Sequence, residues 1–122
     1  MNVLVCGSRG CSDREAMFQE LAKLPVGTTI IHGAARGADR MAGEIATELG
    51  LRVVACPADW ARYGKAAGLI RNRQMLDEYK PQLVLAFVQD WANSRGTQHT
   101  VSLSQKRGIR TQVFCLGHNT NE

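Results

Sequence analysis

Apolar runs alternate with amphipathic stretches along the whole chain. Five short runs rich in Val, Ile and Leu predict buried strands, at residues 2–6, 28–31, 51–56, 82–88 and 109–116. The run at 82–88 (QLVLAFV) is almost entirely apolar, which is typical of a strand covered on both faces. Between the runs, apolar residues recur at the spacing of helices that bury one side.

Capping and breaking residues mark the ends of these helices. Ser12 and Glu15 have the spacing of a capping box, which predicts that the first helix begins at Ser12. Gly50 ends the second helix as a C-cap glycine, and Pro81 stops the third. The four predicted helices cover residues 12–24, 38–49, 64–80 and 97–108.

Strict alternation of strands and helices with short connections predicts a Rossmann-like α/β domain. Such a domain has three layers, with helices on both faces of a mostly parallel sheet, which here has five strands. A chain of 122 residues with 44% hydrophobic residues is long enough for one such core. We therefore expect a single domain over residues 2–116 and a polar tail at 117–122.

Charge and cysteine content narrow the classes of partner. A formal net charge of +4 favours an anionic ligand but is small for a nucleic-acid-binding arm, so nucleic acid is not expected as a partner. The four cysteines lack CxxC or metal-ligand spacing, and no signal peptide or membrane-length apolar run occurs. We expect no metal, no cofactor and no membrane partner. We also expect a cytoplasmic location in a bacterial cell, for a protein of the cell's own or of a phage.

Glycine and arginine occur together in loops where predicted strands give way to helices. These loops read GSRG at 7–10, HGAARGAD at 32–39 and SRGT at 94–97. Ligands of parallel sheets bind beyond the carboxyl ends of the strands, where helix N-termini offer free N–H groups to anions. Arginine adds a planar fork that matches phosphate or carboxylate. The loops therefore predict an anion pocket, although Gly33 and Gly37 would also suit a tight turn with close helix packing.

The best-known nucleotide signatures are absent from this sequence. No GxGxxG follows the first strand, and the second strand ends at His32 rather than at an acidic residue that would hold the ribose of NAD. No GxxxxGK[ST] occurs either. These absences disfavour a redox enzyme and a P-loop NTPase.

Arg73 is predicted to lie on the apolar side of the third helix. It follows Leu69 by four residues and Ile70 by three, whereas Arg71 is predicted to point elsewhere. Because an unpaired buried charge is costly, Arg73 would need either an anionic ligand or an acidic partner within the protein. The pattern leaves both alternatives open.

Several other side chains have two interpretations. Trp60 could stack on a base or cap the edge of the core, and His32 and His99 could transfer protons or simply form hydrogen bonds. Cys11, in a glycine loop, could be a reactive thiol, but an inert role is favoured.

In order and placement, the loop motifs resemble the SLOG superfamily, Rossmann-like proteins related to DprA and to the LOG phosphoribohydrolases. The resemblance covers residues 2 to 115, rests on GSRG, HGAARGAD, PADW with IRNRQML, and SRGT, and favours the small YspA-like branch. It implies binding of a nucleotide or a nucleotide-derived molecule at the strand ends. The implied ligand-binding residues, with Trp60 added from its loop position, are Gly7, Ser8, Arg9, Gly33, Arg36, Gly37, Asp39, Trp60, Arg73, Gly96 and Thr97.

One departure from the LOG motif bears on catalysis. LOG proteins carry a glutamate three residues after the threonine of PGGxGTxxE, and here that position is Thr100. Threonine cannot act as a carboxylate base or stabilise an oxocarbenium-like charge.

We therefore expect a protein that binds, senses or sequesters a nucleotide-derived signal without catalysis. The first alternative is a nucleotide N-glycosidase or phosphoribohydrolase that uses Asp39 or His99, and a weaker one is a DprA-like single-strand DNA binder. Self-association into a homo-oligomer is also expected.

Overall fold

A computed structural model describes residues 1–116 and confirms the predicted α/β architecture. The strands of the described chain are β1 Asn2–Gly7, β2 Thr29–His32, β3 Arg52–Ala55, β4 Leu83–Val88 and β5 Arg110–Cys115. Its helices are α1 Arg14–Ala22, α2 Ala38–Glu48, the short α3 Trp60–Tyr63, α4 Ala67–Tyr79 and α5 Arg95–Lys106. Single 3₁₀ turns occupy Gly64–Ala66 and Trp91–Asn93. The predicted tail at 117–122 lies outside the described residues.

All five strands run parallel, in the order β3-β2-β1-β4-β5. The chain therefore winds outward from β1 in one direction through β2 and β3, and in the other through β4 and β5. The point of reversal lies between β1 and β4, which pair from Val3 with Leu83 to Gly7 with Phe87. In doubly wound sheets this reversal leaves a crevice at the carboxyl ends of the two central strands.

Alternate residues of the strands enter two separate cores. Val3 and Val5 of β1 pack with α1 and α2 on one face, and Leu4 and Cys6 pack with α4 and α5 on the other. The central strands are buried on both sides, as the apolar run at 82–88 predicted. The two cores confirm the three-layer arrangement.

Two helices begin later along the chain than the sequence predicts, and α5 begins two residues earlier, at Arg95. Helix α1 begins at Arg14 with Asp13 as its N-cap, because the Asp13 carboxylate accepts the N–H of Ala16 at 3.1 Å, so the capping box at Ser12 is wrong. The helix predicted over 64–80 is divided by the 3₁₀ turn at Gly64–Ala66, and its regular part begins only at Ala67.

Arg73 lies on the exposed side of α4, so its predicted position on the core-facing stripe is wrong. Leu69, from the same predicted stripe, is 47% exposed. The buried side is instead formed by Ala67, Asn72, Met75 and Leu76. Arg71 lies four residues after Ala67 and four before Met75, on the buried side of the helix.

Gly37 is required where the first and second strand-end loops touch. Its φ is +80°, and a Cβ at this position would lie 2.3 Å from the carbonyl oxygen of Arg9 and 2.4 Å from that of Ser8. Gly27 has a similar φ of +87°, but a Cβ there would meet nothing within 4 Å. Comparing substitutions at Gly37 and Gly27 therefore separates the cost of an unfavourable backbone conformation from the cost of steric overlap.

We predict that Gly37→Ala destabilises the protein more than Gly27→Ala. Both substitutions impose an unfavourable φ, at about 1–3 kcal/mol, but only Gly37→Ala also forces two loops apart. Urea unfolding of the two variants measures this difference. Equal losses of the free energy of unfolding would contradict the close contact at Gly37.

Candidate functional site

A cavity of about 580 Å³ lies at the point where the sheet order reverses. It is lined by the end of β1 and the loop after it, by the loop after β4, and by the first turn of α5. We call it the inner cavity. Its position is the one that doubly wound sheets use for ligands.

Ser8 joins the two loops that border the inner cavity. Its hydroxyl accepts the N–H of Gln89 at 3.0 Å and lies 3.0 Å from the hydroxyl of Ser94. Since Ser94 donates its own hydroxyl proton to the carbonyl of Asp90, Ser8 must be the donor in the serine pair. The Ser8 carbonyl accepts N–H groups from Cys11 and Ala38. Ser8 therefore holds the rim of the cavity in shape.

The N-terminus of α5 faces the inner cavity without a side-chain cap. Its N-cap, Ser94, makes no capping hydrogen bond, and Arg95, Gly96 and Thr97 line the cavity. A Cβ built at Gly96 would meet nothing within 4 Å, so the backbone there borders open space. Unpaired N–H groups and the helix dipole make this end of the cavity suited to an anion.

Arg71 connects α4 to the second and third strand-end loops. Its guanidinium donates to the carbonyl of Gly33, to that of Cys56 at 3.4 Å, and to the side-chain oxygen of Asn72 at 2.9 Å. Asn72 in turn donates to the carbonyl of Gly96 at 3.3 Å. Burial lowers the pKa of Arg71, and the nearby charge of Arg9 lowers it further, although Asp39 acts in the opposite direction. The arginine that reaches the cavity from α4 is thus Arg71, not Arg73.

Asp39 is a buried carboxylate in the wall of the inner cavity. One of its oxygens accepts the N–H of Gly33 at 3.0 Å and that of Ala35 at 3.3 Å. Burial raises its pKa from the usual 3.8 to about 6, against the effect of these hydrogen bonds and of Arg71 and Arg9. Asp39 therefore organises the second loop, and its pKa lies well above that of an exposed aspartate.

The glycines of the second loop are explained by packing. A Cβ at Gly33 would lie 2.6 Å from the guanidinium of Arg71, and Gly37 lets the first and second loops touch. Of the two interpretations given for these glycines, the structure supports close packing. Gly7 is similar, since a Cβ there would lie 2.0 Å from the carbonyl oxygen of Phe87.

A second cavity of about 370 Å³ adjoins the first and is lined by the second loop and by Pro57, Ala58 and Trp60. We call it the outer cavity. Arg9, Ala35 and Arg71 line both cavities. Trp60, at the start of α3, borders the outer cavity with 53% of its surface exposed.

Nine of the eleven sequence-predicted site residues line one or both cavities. The inner cavity includes Gly7, Ser8, Arg9, Asp39, Gly96 and Thr97, and the outer one includes Arg9, Gly33, Arg36 and Trp60. Gly37 packs behind the loops, and Arg73 lies outside both cavities. That any of these residues contacts a ligand stays a prediction.

Four residues that line the cavities were not predicted as site residues from the sequence: Arg40, Arg71, Asn72 and Arg95. A signal for Arg71 was present, because Ala67, Arg71, Met75 and Tyr79 recur at a spacing of four. Arg95 could have been chosen from its place beside Gly96.

His32, His99 and Cys11 do not form part of the cavities. His32 is buried, its Nδ1 accepts the N–H of Ala34 at 2.9 Å, and burial together with Arg71 lowers its pKa. It is a neutral hydrogen-bond acceptor. His99 is absent from both cavity walls, and Cys11 is 4% exposed in the core, where burial raises its pKa. These positions favour the structural interpretation of His32 and Cys11, whereas the buried Nδ1 of His99 has no hydrogen-bond partner among the described residues.

The fold and site together define a Rossmann-like α/β domain with an arginine-rich crevice at its topological switch point. The model of the YspA, cpYpsA-related SLOG family matches residues 1–63. The chain is also 38% identical over 116 residues to the Gene 61 protein of Mycobacterium phage D29, covering 88% of this chain and 90% of that protein. The chain belongs to the YspA, cpYpsA-related SLOG family.

Within residues 1–116, no helix combines the length and the apolar character needed to cross a membrane.

We predict that the raised pKa of Asp39 makes stability depend on pH. The folded protein binds this proton more tightly than the unfolded chain, so the contribution is full below about pH 4 and is lost as the pH rises through 6. A shift of about two units corresponds to at most about 3 kcal/mol. Asp39→Asn removes the titration, so wild type should lose stability relative to the variant between pH 4 and pH 7. Urea unfolding across this range measures the free energy of unfolding of both proteins. If the stability of wild type relative to Asp39→Asn stayed constant or increased with pH, the burial of Asp39 would be contradicted.

Proposed function

We propose that the protein binds a nucleotide or a nucleotide-derived signal molecule in the inner cavity, as a sensor, carrier or sequestering protein, without transforming it. One observation carries the proposal: the uncapped N-terminus of α5 and three arginines, Arg9, Arg71 and Arg95, meet in a single cavity at the switch point. Family membership supports a nucleotide-related ligand. Self-association into a homo-oligomer stays an expectation.

A phosphate group fits the α5 end of the inner cavity best. The N–H groups of the first turn supply donors, and no acidic side chain occurs in that turn. The nucleoside would then extend along the polar wall formed by Asn72, Gln89 and Asn93, whose amides can donate and accept hydrogen bonds. Polar side chains of this kind suit the exchangeable groups of a sugar and a base.

Absence of catalysis is supported by the groups that border the cavity. Thr100 lies in its wall with its hydroxyl donated to the carbonyl of Gly96, at the position where LOG proteins carry glutamate. The acidic side chains of the described cavity wall are Asp39 and Asp90. Asp90 accepts from the amide of Asn93, and Asp39 binds two backbone N–H groups. One oxygen of each carboxylate is therefore committed to the structure of its own loop.

A second candidate function has one observation in its favour. The pKa of Asp39, about 6, suits a group that donates a proton at neutral pH, and Asp39 lines the cavity. Under this alternative, the protein would hydrolyse the N-glycosidic bond of a nucleotide and release the free base.

We predict that the protein binds AMP and that Arg9→Ala weakens this binding by about ten- to hundredfold. Arg9 lines the inner cavity, and a charge-assisted hydrogen bond contributes about 1.5–3 kcal/mol. Arg73→Ala is the matched control, since it removes the same charge from the exposed side of α4 and should leave affinity unchanged. Isothermal titration calorimetry measures both variants.

Equal effects of the two substitutions would indicate attraction by overall charge and would contradict the proposed site. Chromatography of the same mixtures after prolonged incubation separates the two candidate functions. Intact AMP supports binding alone, whereas adenine release that Asp39→Asn abolishes would establish the second candidate.

A further inference from the structure

The outer cavity is lined by four arginines and, among the described residues, by no acidic side chain. The arginines are Arg9 from the first loop, Arg36 from the second, Arg40 from α2 and Arg71 from α4. The inner cavity differs, because Asp39 and Asp90 accompany its three arginines. Positive charge is therefore concentrated in the smaller cavity.

None of these four cations forms an ion pair within the described chain. The ion pairs found within residues 1–116 involve other residues: Arg14 with Glu48, Lys23 with Glu20, and Arg107 with Asp77. The carboxylate of Asp39 lies nearby, but it is bound to the N–H groups of Gly33 and Ala35. Arg9 also lies close enough to Arg71 to disfavour its charge. Like charges held together without an ion-pair partner among residues 1–116 form a site that an anion would stabilise.

The two cavities adjoin, because Arg9, Ala35 and Arg71 line both. Arg71 is held at this boundary by the carbonyls of Gly33 and Cys56. A molecule that occupies the inner cavity therefore lies beside two of the four arginines that line the outer one. The shared wall makes one elongated ligand a better fit than two separate ligands.

We propose that the outer cavity binds a second phosphate group of the ligand, separate from the phosphate at the N-terminus of α5. The inference rests on the proposed function and specifies its ligand class: a nucleotide that carries phosphate groups at two positions. Arginine forks pair with phosphate oxygens through two parallel hydrogen bonds, and a terminal phosphate brings up to two negative charges to the four cations.

Two adenine nucleotides and one double variant test this proposal. Adenosine 3′,5′-bisphosphate should bind wild type at least tenfold more tightly than AMP. Arg36→Ala/Arg40→Ala changes only exposed residues of the outer cavity, so it should remove this difference while leaving AMP affinity unchanged. Arg52→Ala/Arg110→Ala is the matched control, because it removes two exposed arginines from the opposite end of the sheet and should preserve the difference. Isothermal titration calorimetry at one salt concentration measures the affinity of wild type and of both double variants for each of the two nucleotides.

The other results of this experiment overturn either the second phosphate site alone or the proposed function as well. If wild type binds AMP and the bisphosphate equally, or if the outer-cavity variant weakens both equally, the second phosphate site is wrong and the proposed function stands. If neither nucleotide binds, both proposals fail. If a ten-nucleotide 5′-phosphorylated oligo-dA binds more tightly than the bisphosphate and depends on Arg36 and Arg40, the cavity holds a nucleic-acid backbone, and the two-phosphate ligand is overturned.

Discussion

The reversal of the sheet between β1 and β4 is the constraint on which the rest of the site depends. Because the chain winds outward from these two strands in opposite directions, the helices that follow them lie on opposite faces of the sheet. The loops after β1 and β4 must therefore diverge, and the space between them cannot be filled by either helix. Ser8 and Ser94 bridge this space at the rim and leave the cavity open beneath.

A stable core on both sides of the sheet allows unfavourable groups to gather at its end. Asp39 is buried, with its pKa raised, and Arg9 and Arg71 lie near each other without an ion-pair partner among residues 1–116. Each of these features costs folding free energy, and their concentration in one crevice is typical of a site built for a ligand. An anionic ligand would relieve the repulsion, so binding and stability should increase together.

The parts of the fold that depend on local pattern could be predicted from the sequence, and those that depend on distant contacts could not. The run at 82–88 indicated a strand buried on both faces because its apolar residues are contiguous. The helix at 64–80 was assigned the wrong face, because Leu69 was taken to face the core, whereas it is 47% exposed and the buried side is formed by Ala67, Asn72, Met75 and Leu76. Two positions along a helix amount to about 200° of rotation, so this error exchanged Arg73 for Arg71.

The role of the glycines in the loop motifs was also ambiguous from the sequence. HGAARGAD indicated both an anion pocket and a tight turn, and its glycines turn out to make room for Arg71 and for the carbonyls of Ser8 and Arg9. Only the contact partners decide between such interpretations, and these come from loops far apart in sequence. In contrast, Gly96 borders open space, which no local pattern distinguishes from the packed glycines.

The central claim is that phosphate of a nucleotide binds at the N-terminus of α5 in the inner cavity. Backbone amide NMR of ¹⁵N-labelled protein during titration with AMP tests it most directly. We predict the largest chemical-shift changes at Arg95, Gly96 and Thr97, with smaller ones at residues 8–10. Unchanged amides at the start of α5, or larger changes near Arg52 and Arg110 at the opposite end of the sheet, would contradict it.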